Sequence, residues 1–354
     1  MQKDFRPALP ALIATIAALS FFPGCKLLKK RGGFDAGAAL PAPTSLGAES
    51  AEADAGEAEF EAPDSEKIAA AAKGHALHFA GCNKTPPVPE DCNSLAVDFE
   101  EGRGVTRDYA QSLVFYKKAC DLKLAAGCSN MASLYEDGKG VTADKARASS
   151  IYDQSCAAGS MRGCNLLGVH YLYGKAGRTQ DNARAAALFD KACKGGDAYG
   201  CSNDGYMFRH GYGVPLDLVR SLSLYQRGCS GGDPNGCSGL GYIYDRGLGA
   251  PKNQALAATY YRKGCDGDDE VACLNLGLLY EDGNGVAQSF SKAATLYDKS
   301  CRLGDVGGCN SAGTLYRDGR GVAKDTAKAR ALFKKACDAD NAAGCTNLGQ
   351  LRSR

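Results

Sequence analysis

The chain has 354 residues, with 42 Lys or Arg against 40 Asp or Glu, 17 cysteines and no tryptophan. A net charge of +2 supplies no basic stripe of the kind nucleic acid requires, so no nucleic-acid partner is expected. So many cysteines imply metal sites or catalysis in a reducing cytosol and disulfides outside it; zinc modules usually carry Cys-x-x-Cys, which is absent here.

In chain order, Lys3 and Arg6 precede an apolar run from about Ala8 to Phe22, then Pro23-Gly24-Cys25. This reads as an export signal. It resembles a bacterial lipoprotein signal, which implies cleavage after Gly24, acylation of Cys25 and a lipid anchor to a membrane through Cys25. Phe22 and Pro23 depart from the Leu and small residue usual in that pattern. Cys25 is the one cysteine without a partner in the spacing described below, and Lys26 after it resembles outer-membrane sorting. Two alternatives stay open. One is an uncleaved anchor, since Ala8–Leu28 is about long enough to span and Lys29-Lys30-Arg31 would stop transfer. The other is plain secretion.

Residues 26–64 are rich in Ala, Gly, Pro and acid, with nine Asp or Glu and no Lys or Arg between Phe34 and Glu66. Such a stretch buries too little apolar surface to order itself, so a disordered tether is expected. Residues 65–91 read as an N-terminal cap. A helix is predicted from Ser65 to about Ala80, with Ser65 or Asp64 as N-cap, followed by the rigid turn Pro86-Pro87-Val88-Pro89. His75 and His78 share a helical face near Cys82. They would suit zinc if that thiol were free; otherwise they belong to a solvated helix.

Residues 92–354 read as a solenoid. The cysteines pair as Cys120 with Cys128, Cys156 with Cys164, Cys193 with Cys201, Cys229 with Cys237, Cys265 with Cys273, Cys301 with Cys309 and Cys337 with Cys345; Cys82 with Cys92 is a looser first member. Partners lie eight apart and successive pairs 36 apart, except one step of 37. A fixed period of this length means stacked helix pairs. Counting from the cysteine that opens each unit, position +4 is small (Ala132, Gly168, Gly205, Gly277) and +7 aromatic (Tyr135, Tyr171, Phe208, Tyr280). These offsets share one helical face, so helix A should place a small residue where a neighbouring backbone comes close. Helix A should end at Gly102, Gly138, Gly174, Gly211, Gly247, Gly283 and Gly319. Helix B should start at Asp108, Asp144, Asp181, Asp217, Asn253, Ser289 and Asp325 as N-caps. Helix B carries an aromatic four before its closing cysteine. Unit 164–200 has an extra residue, expected in its A–B turn. No strand pattern appears; the expected fold is all-α.

The first cysteine of a pair ends helix B and the second lies early in the next helix A, across a short corner whose arms are close enough to bridge. Disulfides within each pair are therefore expected, each worth roughly 2–3 kcal/mol by loop closure. Buried free thiols are the alternative.

Cys273-Leu-Asn275-Leu276-Gly277-Leu-Leu-Tyr280-Glu-Asp-Gly283-Asn-Gly285-Val286, continuing to Lys292-Ala293 and Tyr297, resembles the Sel-1-like repeat family, a tetratricopeptide relative. The cysteine pairs narrow the resemblance to its secreted, cysteine-rich bacterial proteins, sometimes labelled β-lactamase-like. It covers Cys92–Cys345 and, loosely, His75–Asp91. It implies a right-handed α/α superhelix, disulfides within pairs, and adaptor or scaffold roles; for some cysteine-rich members it implies binding or weak hydrolysis of β-lactams. The chain has one Ser-x-x-Lys, Ser289–Lys292, but Ser289 occupies the slot of a helix cap, and SDN, KTG, HExxH and GxSxG are absent. No catalytic residue, metal or cofactor is assigned.

A groove lined by helix A offers positions +2, about +5 and +9 to a partner. The candidates are Asn130, Asn203, Tyr206, Tyr242, Arg246 and Asn275. Asn side chains donate and accept together, which suits a peptide backbone, although local bonding at a helix start is the other use. His210 at +9 is expected to face solvent. The reading is a protein- or peptide-binding scaffold of the cell envelope, an outer-membrane lipoprotein facing periplasm or exterior, or else secreted. The alternative is recognition or weak hydrolysis of a β-lactam or cell-wall fragment.

Overall fold

A computed structural model of the chain describes residues 65–352. The export signal, Cys25 and the acidic tether lie outside the described residues. Among the described residues no helix is long and apolar enough to cross a membrane.

The described residues form an all-α solenoid. Helix α1 (Ser65–Asn83) starts where the sequence places it and runs three residues past Ala80. The A helices are α2 (Pro89–Glu101), α4 (Ala125–Asp137), α6 (Met161–Tyr173), α8 (Ala198–His210), α10 (Pro234–Arg246), α12 (Glu270–Asp282), α14 (Val306–Asp318) and α16 (Ala342–Arg352). The B helices are α3 (Tyr109–Asp121), α5 (Lys145–Ala157), α7 (Asn182–Lys194), α9 (Leu218–Ser230), α11 (Gln254–Asp266), α13 (Phe290–Leu303) and α15 (Thr326–Asp338). Each B helix is opened by its expected cap; Asp181 Oδ1 accepts from Arg184 N at 2.9 Å, for example. Each A helix from α2 to α14 closes on its expected glycine in the left-handed region.

The small residue at +4 has a different neighbour from the one expected. It is the seat of the aromatic ring on the same unit's B helix. A Cβ on Gly277 would lie 2.5 Å from the Tyr297 ring, and one on Gly313 2.6 Å from Phe333. The rings that fill these seats (Tyr116, Tyr152, Phe189, Tyr261, Tyr297 and Phe333) are essentially buried. Close backbone approach is found instead at the second glycine of the A–B turn. Gly140, at φ +67°, rests on the backbone of Tyr109 and Ala110, the start of the previous B helix. Unit 164–200 takes its extra residue in the 174–181 turn, and Gly177 there meets nothing. Arg178 makes the contact in its place: its guanidinium donates to Ser149 Oγ at 2.9 Å and Tyr171 Oη at 2.7 Å.

All eight expected disulfides are present, and none of these sixteen cysteines is a free thiol. Cys82 is bonded to Cys92, Cys120 to Cys128, Cys156 to Cys164 and Cys193 to Cys201. Cys229 is bonded to Cys237, Cys265 to Cys273, Cys301 to Cys309 and Cys337 to Cys345. Cα separations of 4.3 to 4.6 Å place each pair directly across its corner. The second cysteine is the better covered member at several corners: Cys164, Cys237, Cys273 and Cys309 are all at most 5% exposed, at the start of their A helices. Cys128 holds the same place in α4.

Five of the eight corners are also held from the next unit. Two residues before the closing cysteine, a basic side chain reaches back to the carbonyl of the preceding unit's cysteine. Lys118 donates to Cys82 O, Lys191 to Cys156 O, Arg227 to Cys193 O, Lys299 to Cys265 O and Lys335 to Cys301 O, at 2.7 to 3.0 Å. A cation at a helix C-terminus satisfies an orphan carbonyl and opposes the helix dipole.

Because Cys82 is bridged, it leaves no free thiol for zinc. His75 and His78 do not simply face water. Both turn towards the buried Asp98 of α2, with His78 Nδ1 2.7 Å and His75 Nδ1 3.4 Å from Oδ2, and they dock the cap helix. Among the described residues no His, Cys, Asp and Glu group is arranged to hold a metal ion.

Candidate partner-binding face

The backbones of consecutive A helices approach closely from α4 to α16, whereas consecutive B helices meet only through long side chains, such as Lys191 of α7 on Cys156 O of α5. The A helices therefore form the tighter, inner row, and their +5, +8 and +9 positions decide what that row presents.

Positions +8 and +9 read Glu100-Glu101, Glu136-Asp137, Leu172-Tyr173, Arg209-His210, Asp245-Arg246, Glu281-Asp282 and Arg317-Asp318. The acid at +8 has a structural task. Glu100, Glu136 and Glu281 accept from the hydroxyls of Tyr116, Tyr152 and Tyr297 at 2.6, 3.0 and 2.7 Å. Where the B-helix ring is Phe189 there is no hydroxyl, and +8 is Leu172.

Unit 201–236 breaks the pattern. Tyr225 is present, yet +8 is Arg209. Its guanidinium carbon lies 4.6 Å from the Tyr242 ring centroid, 5.6 Å from Tyr206 and 5.9 Å from Tyr225. Its Nε is buried without a hydrogen-bond partner, and among the described residues it makes no ion pair. Arg317, the other arginine at +8, is instead forked onto Asp318 at 2.7 and 2.8 Å. His210 is half-buried and does not simply face solvent. It packs 4.1 Å from the Tyr206 ring and 5.2 Å from Tyr212, with Nδ1 2.9 Å from Tyr206 O. Burial and the adjacent Arg209 push its pKa down, which keeps the ring neutral near pH 7. Arg246 is 62% exposed, 5.8 Å from the Tyr242 ring and 3.4 Å from Asp245.

Three of the six candidates are thus assembled, Tyr206, Tyr242 and Arg246, around an Arg209 that the sequence reading passed over. The asparagines do something else. Asn130 donates to Asn93 Oδ1 at 3.0 Å and Asn203 to Asn165 Oδ1 at 2.8 Å, so each ties its A helix to the preceding one. Asn203 is buried, and Asn275 half-buried. The available signal for Arg209 was the charge reversal in the +8 row.

The arrangement most like a nucleophile–base string is Ser133 Oγ, 3.1 Å from Tyr152 Oη, which donates to Glu136, whose other oxygen lies 3.0 Å from His170 Nε2. Burial and Glu136 push the Tyr152 phenol well up, so it is a donor and not a base. Burial pushes Glu136 up, but His170 and Tyr152 outweigh it and hold the carboxyl below its usual range. The string pairs the Tyr152 hydroxyl, both Glu136 oxygens and His170 Nε2 with one another. Ser289 Oγ accepts from Lys292 N at 3.3 Å as the cap of α13.

A model of the Sel1 repeat matches residues 89–124, 125–160, 162–197, 198–233, 234–269, 271–305 and 308–341. No curated protein sequence matches the chain. A Sel1 repeat protein from Oxalobacter formigenes is similar at 27% identity, covering 71% of this chain and 100% of that one, with a TM-score of 0.60. The protective antigen c5321 of uropathogenic Escherichia coli is similar at 26% identity over 81% of this chain and 66% of that one, with a TM-score of 0.54. The Cut9-Hcn1 hetero-tetramer of the APC/C shares the fold alone, at 11% identity over 78% and 52% of the chains, with a TM-score of 0.52.

Proposed function

The chain belongs to the Sel1 repeat family, and on that premise we propose that it is a protein- or peptide-binding scaffold that uses the inner row of its middle units. The observation that carries this reading is the loss of the paired acids in α6, α8 and α10, which leaves tyrosines and arginine on the inner side. Aromatic and Arg side chains are the residue types that dominate binding hot spots. The solved structure in which Cut9 assembles with Hcn1 supports the same use of the fold.

The finer part of the proposal is an exported, cysteine-rich member held to an outer membrane by lipid on Cys25. Its support is the eight bridged corners and the signal-like N-terminus. Among the described residues no geometry supports hydrolysis, and it is not part of the proposal.

The test is capture from a cell-envelope extract with three proteins. They are the parent, a double variant with Tyr242→Ala and Arg246→Glu, and a Val114→Asp control on the exposed face of α3. The parent and control should capture the same protein and the double variant should not. Equal capture by all three moves binding off the inner row. For the anchor, Cys25→Ser should leave a soluble or unprocessed precursor whose repeats still fold.

A further inference from the structure

We propose that the middle of the inner row binds a short acidic peptide segment carrying an aromatic side chain. This rests on the scaffold reading above and names the chemistry of the partner.

The repeat itself supplies the comparison. On both flanks the +8 and +9 positions are acid pairs, Glu136-Asp137 before and Glu281-Asp282 after. Between them lie Leu172-Tyr173, Arg209-His210 and Asp245-Arg246, so a cationic and aromatic stretch is bounded by negative charge. Lys175 adds a third cation, 5.4 Å from the Tyr173 ring. An acidic segment is attracted in the centre and repelled at both ends, which limits its length. Helix spacings of about 10 Å make three neighbouring A helices roughly 20 Å wide, the span of about six extended residues.

Arg209 points to the anion. A half-buried guanidinium among three tyrosine rings, with a buried Nε that lacks a hydrogen bond and no ion pair among the described residues, is a cation without a counter-charge. Every other unit gives +8 a neutral side chain, an acid, or an arginine forked onto its own aspartate. A ligand carboxylate is the group that fits Arg209 and the exposed Arg246 together. The aromatic part has its own shelf. His210 is stacked on Tyr212, Tyr206 packs tilted against His210 and edge-on to Tyr212, and Tyr212 is 38% exposed.

The probe is a synthetic peptide with the sequence of residues 57–62 of this chain, which carries three Glu around Phe60 and no Lys or Arg. Binding to the full chain is measured by calorimetry at low salt. The peptide should bind, and more weakly as salt rises. Arg209→Gln and Arg246→Glu should each weaken it by about ten-fold or more, and Phe60→Ala in the peptide should weaken it as well. Lys117→Glu on α3 should leave affinity unchanged. Arg246 is exposed, so its reversal tests the idea even if Arg209→Gln lowers the melting temperature. Absence of binding, equal binding by a peptide with every acid replaced by Lys, or full affinity in both Arg variants overturns the proposal. If such a failure coincides with groove-dependent protein capture, only the acidic preference falls. If capture fails too, the scaffold reading falls with it.

Discussion

Asp204 stands at position +3 of its unit, where other units place Leu95, Met131, Leu167, Leu240 and Leu276. Its side chain is about as buried as theirs, at 1% exposed, and both carboxylate oxygens lack a partner. Burial first, then Asp190 of α7, push its pKa from 3.8 up to about 7, against Arg220, Lys194 and Arg227. A carboxyl whose folded pKa is raised keeps its proton in the native state after the unfolded chain has lost it, so stability falls as pH rises from about 4 to 7 and is flat above. The full shift corresponds to something on the order of 4 kcal/mol. Asp204→Leu should therefore raise the melting temperature most at pH 8 and least near pH 4, and Asp204→Asn should flatten the slope between them. A profile for Asp204→Asn that overlies the parent's would show that Asp204 does not titrate in this window. Ser289 belongs to the same scale. As the cap of α13 it should cost about 1 kcal/mol on change to Ala and little on change to Asp. Nitrocefin turnover in the parent that both changes abolish, with melting intact, would make it a nucleophile instead.

At the scale of the element, the seat at +4 offers an internal control. Gly277 lies under the Tyr297 ring, while Gly349 in α16 has nothing within 4 Å of where a Cβ would stand. Ala is the better helix former by about 1 kcal/mol. Gly349→Ala should thus raise the melting temperature slightly, and Gly277→Ala should lower it because the added carbon displaces the ring. If both changes raise it, the ring has room and the seat is not a steric one. The helices, their caps and the cysteine bridges were legible because each depends on short-range chemistry: a carboxylate ahead of a helix, a glycine at its end, cysteines across a corner. The identity of the seat's occupant was not, because offsets of three and four along α12 say that a small residue faces something without saying that Tyr297 arrives there from α13. The same limit explains His210 and Asn203. Helical phase put both on the inner row, but their neighbours Tyr212 and Asn165 come from a turn and from another A helix. Arg209 was legible in principle, through its conflict with the acid that Tyr116 and Tyr297 enjoy in their units.

For the whole molecule, stability is a sum of units and junctions, since each unit meets only its neighbours. Intact mass before and after reduction should report eight disulfides, each joining a cysteine to the partner across its corner. Position then decides what loss of one bridge does. Changing Cys337 and Cys345 to Ser frees only the corner between α15 and α16, at one end of the described stack. Changing Cys193 and Cys201 to Ser frees the corner from which α8 projects, while the carbonyl at position 193 still holds Arg227 of the next unit. The terminal change should raise amide exchange in the last two helices and leave peptide binding as in the parent. The central change should raise exchange across α7 to α9 and weaken binding, because Arg209 and Tyr206 ride on α8. Each bridge is worth roughly 2–3 kcal/mol by loop closure, so neither change should unfold the chain at room temperature. Exchange rising uniformly along the chain in either variant would mean that the solenoid folds as one cooperative body, and that the junctions are coupled far more tightly than nearest-neighbour stacking allows.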